Sequence, residues 1–229
     1  MRVGLFERDL SYRFNISIGT VSNVISWANF FYLRLGSLSI WPSKEVTVEK
    51  MPESFKSKYK ETRVIIDCTE IKVEMPSSLE LKSQTYSNCT ESANTLKGLV
   101  GISPSGSITF LSQLYTGSIS DREITERCDI LNMPFQAGDS LIADKGFDIQ
   151  DLLDPIGVKL NIPPFLHMQG QMPGNDVLQT QQIAAERIHV ERAINKIKHF
   201  HIFDQNIPIS LAGSINQFCS KTLLFLELS

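Results

Sequence analysis

Cysteine is scarce in this chain. Its four residues, Cys68, Cys89, Cys128 and Cys219, are irregularly spaced and include no C-x-x-C pair. That argues against both a zinc ribbon and a disulfide framework, and the apolar settings of Cys68 and Cys219 suit small buried residues in a reducing compartment. The four histidines, His167, His189, His199 and His201, have no ligand-like spacing with a matching carboxylate. Basic excess is also missing: 22 Lys and Arg face 25 Asp and Glu, for a net charge of -3. Any contact with nucleic acid must therefore rest on local patches, not on a long-range field. The most apolar stretch, "WANFFYLRLGSLSIW", is broken by Arg34 and Gly36 and is too short to span a bilayer. Arg2, Glu7, Arg8 and Asp9 interrupt any secretory leader, so the N-x-S/T triplets at Asn15 and Asn88 carry little meaning. A soluble, intracellular protein with no membrane partner is expected. There is no repeat and no low-complexity segment.

What is present is ample apolar content, 42% of 229 residues, enough for one core and a small appendage. Residues 1–41 read as the appendage. Val21, Val24, Ile25, Ala28, Phe31, Tyr32 and Leu35 recur at helical spacing. An earlier helical turn ends near Phe14, and Ser17 is a plausible N-cap for the next helix. This shape suits a partial helix-turn-helix, which would offer Thr20, Ser22 and Asn23 to a DNA groove. It equally suits an ordinary helical hairpin. A complete three-helix reader needs more residues upstream, so a shortened N-terminus is expected. Residues 42–62 hold Pro42, Pro52 and the cluster Lys56, Lys58 and Lys60, and read as a linker with a short helix or loop.

From Arg63 to Ser229 the pattern turns to strands and helices. "TRVIIDCTEI" is a β-branched run. "SQTYS" is short and weakly strand-like. "LKGLVGISP" and "SITFLSQLYTG" flank Pro104-Ser105-Gly106, a hairpin signal. "SDREITERCDILNM" reads as a helix, "DSLIADKG" as a buried strand, "DIQDLLDPIG" as a short helix and "VKLNIPP" as a last strand. A polar loop at 166–178 precedes a long helix, "QQIAAERIHVERAINKIKHF", and a closing helical pattern. The first strands can pair as an antiparallel meander, whereas the later ones alternate with helices and favour parallel crossovers. The expected fold is α/β: a ribonuclease-H-like mixed sheet flanked by helices, with the first strand beside the one that leads to Asp144.

Three carboxylates stand out. Asp67 interrupts an apolar strand, where a bare carboxylate is costly unless it is paired or ligates a metal. Asp144 ends a buried run, and Glu191 lies near Ile188 and Ile194 on the long helix. If the three converge they repel, and hard cations such as Mg²⁺ or Mn²⁺ remove that repulsion. A pair of such ions can activate a water or hydroxyl against a phosphodiester. Plainer readings exist. Asp144 can serve the turn at Gly146, Glu191 can pair with Arg187 or Arg192, and Asp121 in "GSISDRE" can be a helix N-cap. Gly146 is read as easing a sharp turn, and Asp148 as a helix N-cap.

The blocks "VIIDCTEI", "NTLKGLVGISPSGSITFLSQLYTGSISDREIT", "GDSLIADKGFDIQDLL" and "RIHVERAINKIKHF", in that order, resemble Harbinger-type DDE transposases and nucleases domesticated from them. The resemblance covers about residues 60–218 and extends weakly to the N-terminal helices. It implies a metal-dependent endonuclease or transposase whose catalytic and metal-holding acids are Asp67 in "DCTE", Asp144 in "ADKGF" and Glu191 in "HVERAI". Asp121 would be a support, and Lys145 and Arg192 would meet DNA phosphates. It implies Mg²⁺ or Mn²⁺ as cofactor, DNA as substrate, a nuclear location and a separate DNA-binding partner protein, and it is compatible with a homo-oligomer.

The chain also departs from that family. "YSNCTESANTLKG" carries Glu91 and lacks the Lys of the basic segment that relatives often have. "LHMQGQMPGND" has no Lys or Arg, and "SKTLLFLELS" stops abruptly, as in a shortened copy with weakened DNA contact. The rivals are a non-catalytic DNA- or protein-binding adaptor and a metal-dependent phosphatase.

Overall fold

The β-branched run after Thr62 builds the central strand of the sheet, because such side chains pack well on a pleated surface. A computed structural model of the chain describes residues 5–35, 41–87, 93–163, 188–196, 198, 206–209 and 215–216. The expected loop at 166–178, the first turns of the long helix and nearly all of the closing pattern lie outside the described residues. So do Cys89, Glu91, His167, Arg187, His199, His201 and Cys219.

In chain order the described elements are α1 (Glu7–Phe14), α2 (Ile18–Leu35), α3 (Lys44–Glu49), α4 (Glu53–Lys58), β1 (Thr62–Lys72), α5 (Leu79–Thr85), β2 (Tyr86–Ser87), β3 (Ala93–Ile102), β4 (Ile108–Leu111) and β5 (Tyr115–Thr116). They continue with α6 (Asp121–Arg127), β6 (Ser140–Ile142), α7 (Gln150–Leu153) and β7 (Lys159–Asn161). A further helix, α8, runs over 188–196.

The strand order is β2-β3-β1-β6-β7, with β4 and β5 also pairing with β3. β1 is antiparallel to β3 and parallel to β6, and β6 is parallel to β7. The mixed sheet expected from the order of the elements is therefore present, with the first strand beside the one that leads to Asp144. The β3–β4 hairpin turns where expected. Gly106 adopts φ 91, a conformation that suits glycine, and its N–H donates to the Ser103 carbonyl.

Alternation along β1 feeds two cores, one on each face of the sheet. Val64 and Ile66 join Leu99, Leu141, Ala143, Phe147 and Ile124 of α6 on one face. Ile65 joins Val100, Ile102, Ile142, Met51, Phe55, and Val190, Ala193 and Ile194 of α8 on the other. A sheet covered by helices on both faces is the layered solution that such alternation requires.

The segment read as a linker carries the two short helices α3 and α4, and it is built into this core. Phe55 is fully buried. Arg63, at the start of β1, donates to the Thr47 hydroxyl (2.7 Å) and the Pro42 carbonyl (2.9 Å) and pairs with Asp139 (3.2 Å). Lys44 reaches the other Asp139 oxygen (2.8 Å) and also Glu61 (3.0 Å). The Arg63 guanidinium lies 5.6 Å over the Trp41 ring. "SQTYS" is a second departure from the sequence reading. It is mostly the end of α5, and only Tyr86 and Ser87 pair with β3.

At the N-terminus α1 and α2 pack on each other through a tight turn. Asn15 takes the left-handed conformation (φ 51), which Asn tolerates better than most residues. The Ser17 hydroxyl accepts from the Thr20 N–H at 3.0 Å, the capping bond expected of it. Tyr12, Phe14, Val24 and Trp27 are exposed. No described helix is long and apolar enough to cross a membrane.

Candidate functional site

The register between β1 and β6 sets the geometry of the site. Ile65 is the partner of Ile142. Asp67 and Asp144 each lie two residues further along, so the two acids leave adjacent parallel chains side by side. Neighbouring strands run about 4.8 Å apart. Alternation puts Asp67 on the face of Ile65, the face that α8 covers. Both carboxylates are half-buried. Asp67 Oδ1 accepts from the Cys68 N–H (2.8 Å), and Asp144 Oδ1 accepts from the Lys145 N–H (2.7 Å). The two acids thus have the same local arrangement, each with one oxygen on the amide that follows it. Asp144 follows the carboxyl end of β6, whereas Asp67 lies mid-way along β1, which runs on to Lys72 beside β3.

Glu191 is exposed on α8. The buried stripe of that helix is Val190, Ala193 and Ile194, and Ile188 is largely outside it. At about 100° per residue, His189 and Glu191 leave the stripe on opposite flanks. The His189 ring meets Phe55 of α4 at 6.1 Å, so Glu191 is on the flank turned away from α4. Among the described residues no group of three His, Cys, Asp or Glu side chains stands close enough to hold a metal ion. The strand register brings Asp67 and Asp144 together, and Glu191 is not gathered with them. Hard oxygen donors of this kind suit Mg²⁺ or Mn²⁺, and the Asp pair supplies two of them.

Asp121 is not an N-cap. That position belongs to Ser120, whose hydroxyl accepts from the Glu123 N–H at 3.1 Å. Asp121 instead forms an ion pair with Lys97 of β3 at 2.6 Å. Its other oxygen lies where a methyl group on Gly146 would come within 2.8 Å. The need for glycine at 146 is therefore a close approach, and its φ is not in the left-handed region. Asp148 is not an N-cap either, since Ile149 precedes α7. The Asp148 carbonyl accepts from Arg122 at 2.6 Å, and the same guanidinium makes two bonds to Asp151, at 2.7 and 2.6 Å. That fork holds the Asp151 carboxyl below its ordinary range.

The remaining expected contacts are spread over the surface. Lys145 is half-buried beside Asp144, and Arg192 is exposed on α8. Thr20 and Asn23 are exposed and Ser22 is half-buried on α2. The Thr20 and Ser17 hydroxyls share a 2.8 Å hydrogen bond. Three charged residues escaped the sequence reading: Lys97, Arg63 and Asp139. Their only sequence signal is a lone charge beside an apolar strand, as in "NTLKGLV" and "AGDSLIA".

The sequence model of the DDE superfamily endonucleases matches residues 66–226, and the chain belongs to that family. The family is one of nucleases and transposases, acts on DNA and generally uses divalent metals. No curated protein and no solved structure matches the chain.

Proposed function

We propose that this chain is a Harbinger-type DDE endonuclease or transposase that cleaves or transfers DNA phosphodiesters in a metal-dependent reaction. The observation that supports this best is the register of β1 and β6, whose last pair, Ile65 and Ile142, stands two residues before Asp67 and Asp144. These two acids hold the ions, and Glu191 completes the set from α8. Three like charges repel, and a cation is what would gather the third. When bound, Mg²⁺ or Mn²⁺ supplies an activated oxygen nucleophile and stabilisation of the leaving oxygen. The protein's share is to orient the acids and the DNA. Asp67 and Asp144 are oriented by the amides of Cys68 and Lys145. Lys145 and Arg192 meet phosphates. The α1–α2 pair, read as a partial helix-turn-helix, presents Thr20, Ser22 and Asn23 to a groove. Nuclear location, a separate DNA-binding partner and self-association belong to the same reading.

The test is nicking of a supercoiled plasmid with Mg²⁺ or Mn²⁺. The wild type nicks, and Asp67→Asn, with an unchanged circular dichroism spectrum, does not. Equal nicking by the two proteins contradicts the assignment.

A second reading, a non-catalytic DNA- or protein-binding adaptor, is favoured by one observation: Glu191 is not gathered with the Asp pair. The adaptor predicts DNA or partner binding with no nicking under either metal.

A further inference from the structure

A single carboxylate, Asp121, stands against both the residue that follows Asp67 and the turn that follows Asp144, on the opposite face of the sheet from Asp67. Asp121 opens α6 and is fixed there, with Thr125 donating to its carbonyl at 2.8 Å. Its side chain meets three other elements. Lys97 of β3 pairs with it at 2.6 Å and also donates to the Ile119 carbonyl at 3.3 Å. The Cys68 thiol, on the residue that follows Asp67, is within hydrogen-bond reach of Asp121. Gly146, two residues beyond Asp144, passes so close that a methyl group there would lie 2.8 Å from Asp121 Oδ2.

Lys97 makes this carboxylate tolerable. A charged Asp against a half-buried thiol and a backbone turn is costly without a counter-charge. The Lys97 side chain is only 13% exposed. Burial works against its charged form, but the hydrogen bond and charge of Asp121 outweigh burial, and the ammonium is held above its ordinary range. Cys68 packs with Leu99 and Ala143 on the α6 face, whereas Asp67 falls on the α8 face. Lys97 therefore acts through the sheet and does not touch the substrate side.

We propose that Lys97 is a positioning residue: by neutralising and anchoring Asp121, it holds the Asp144–Gly146 turn against β1 and so fixes the spacing of Asp67 and Asp144. The proposal rests on the reading that those two acids carry the chemistry. The turn it would fix is defined by two bonds, from the Lys145 N–H to Asp144 Oδ1 (2.7 Å) and from the Phe147 N–H to the Asp144 carbonyl (3.0 Å).

The test is amide hydrogen exchange by mass spectrometry on the full chain without metal, paired with Mn²⁺ titration calorimetry. Lys97→Met should speed exchange across residues 145–147 while amides of β3 and β4 keep their protection, and Lys97→Arg should restore the wild-type rate. Gly146→Ala, at an exposed position, presses on the same contact from the other side and should give the same local change. It serves as the decisive variant if Lys97→Met does not fold. Mn²⁺ affinity in Lys97→Met should fall about 10- to 100-fold, the range expected when a group that orients a ligand is lost. Unchanged exchange at 145–147 in the folded variants overturns the brace. A wild type that binds no Mn²⁺ overturns the catalytic reading instead, and the exchange result still decides the brace.

Discussion

The start and the middle of β1 treat carboxylates in opposite ways. At the start of the strand Asp139 is fully buried and receives two cations, Arg63 and Lys44, plus the Gln136 N–H at 2.9 Å. Further along the strand, Asp67 follows the last residue paired with β6 by two, as Asp144 does on its own chain. The first arrangement settles its charge inside the fold, and the second is the one proposed to gather like charge for a cation. A buried pair loses about 3–5 kcal/mol when one partner is removed, because a charge is stranded. A paired set of like charges gains nothing for stability and is expected where a cation or substrate is to be met. The contrast separates a carboxylate that holds the structure together from two that are proposed to carry the function.

Several substitutions can break or sharpen this contrast. The largest effect should fall on activity in the Asp67 region: Asp144→Asn should reduce metal-dependent nicking to background, while its unfolding free energy changes by at most about 1 kcal/mol. Asp139→Ala should do the reverse in kind and cost about 3–5 kcal/mol, read from urea unfolding. If Asp144→Asn proves as destabilising as Asp139→Ala, the two regions are not different. Phe55→Ala, beneath α8, should also cost about 3–5 kcal/mol, which would show that the segment before β1 is part of the core. Glu191→Gln, on an exposed flank, should leave stability within about 0.5 kcal/mol and still remove nicking.

The smallest effect concerns pH. The Asp151 carboxyl is lowered by its two bonds to Arg122. A lowered folded-state value means that this pair's contribution is present above the unfolded value, about pH 4, and is lost as pH falls through the folded value. Asp151→Asn should therefore lower stability slightly at neutral pH and converge with the wild type as pH falls below about 4, flattening the acid limb of the profile, as followed by thermal melts.

Strands were the most legible part of the sequence. "TRVIIDCTEI" and "DSLIA" are β-branched or apolar runs, and their parallel pairing followed from the helix between them. Short amphipathic pieces were less legible. "SQTYS" looked strand-like because its last two residues are strand, whereas the preceding turn is set by α5. Residues 42–62 looked like a linker because two prolines and three lysines mask the two apolar residues that matter, Met51 and Phe55. Caps failed by one residue: Ser120 and Asp121 are both good capping types, and only the backbone decides between them.

At the candidate site, the positions of Asp67 and Asp144 on neighbouring chains could be anticipated from strand order. The flank taken by Glu191 could not, because Ile188 fits the apolar pattern and yet is exposed. Lys97 was beyond reach for a different reason. A lone Lys in a strand pattern reads as an outward residue until its partner, Asp121, is brought over it by α6.

Asp67 and Asp144 are proposed to form one cation site. Titration of the purified full chain with Mn²⁺, followed by calorimetry, tests this directly. Saturable binding in the wild type that is lost in both Asp67→Asn and Asp144→Asn is the predicted result. Saturable binding that survives both substitutions, or none in the wild type, contradicts it.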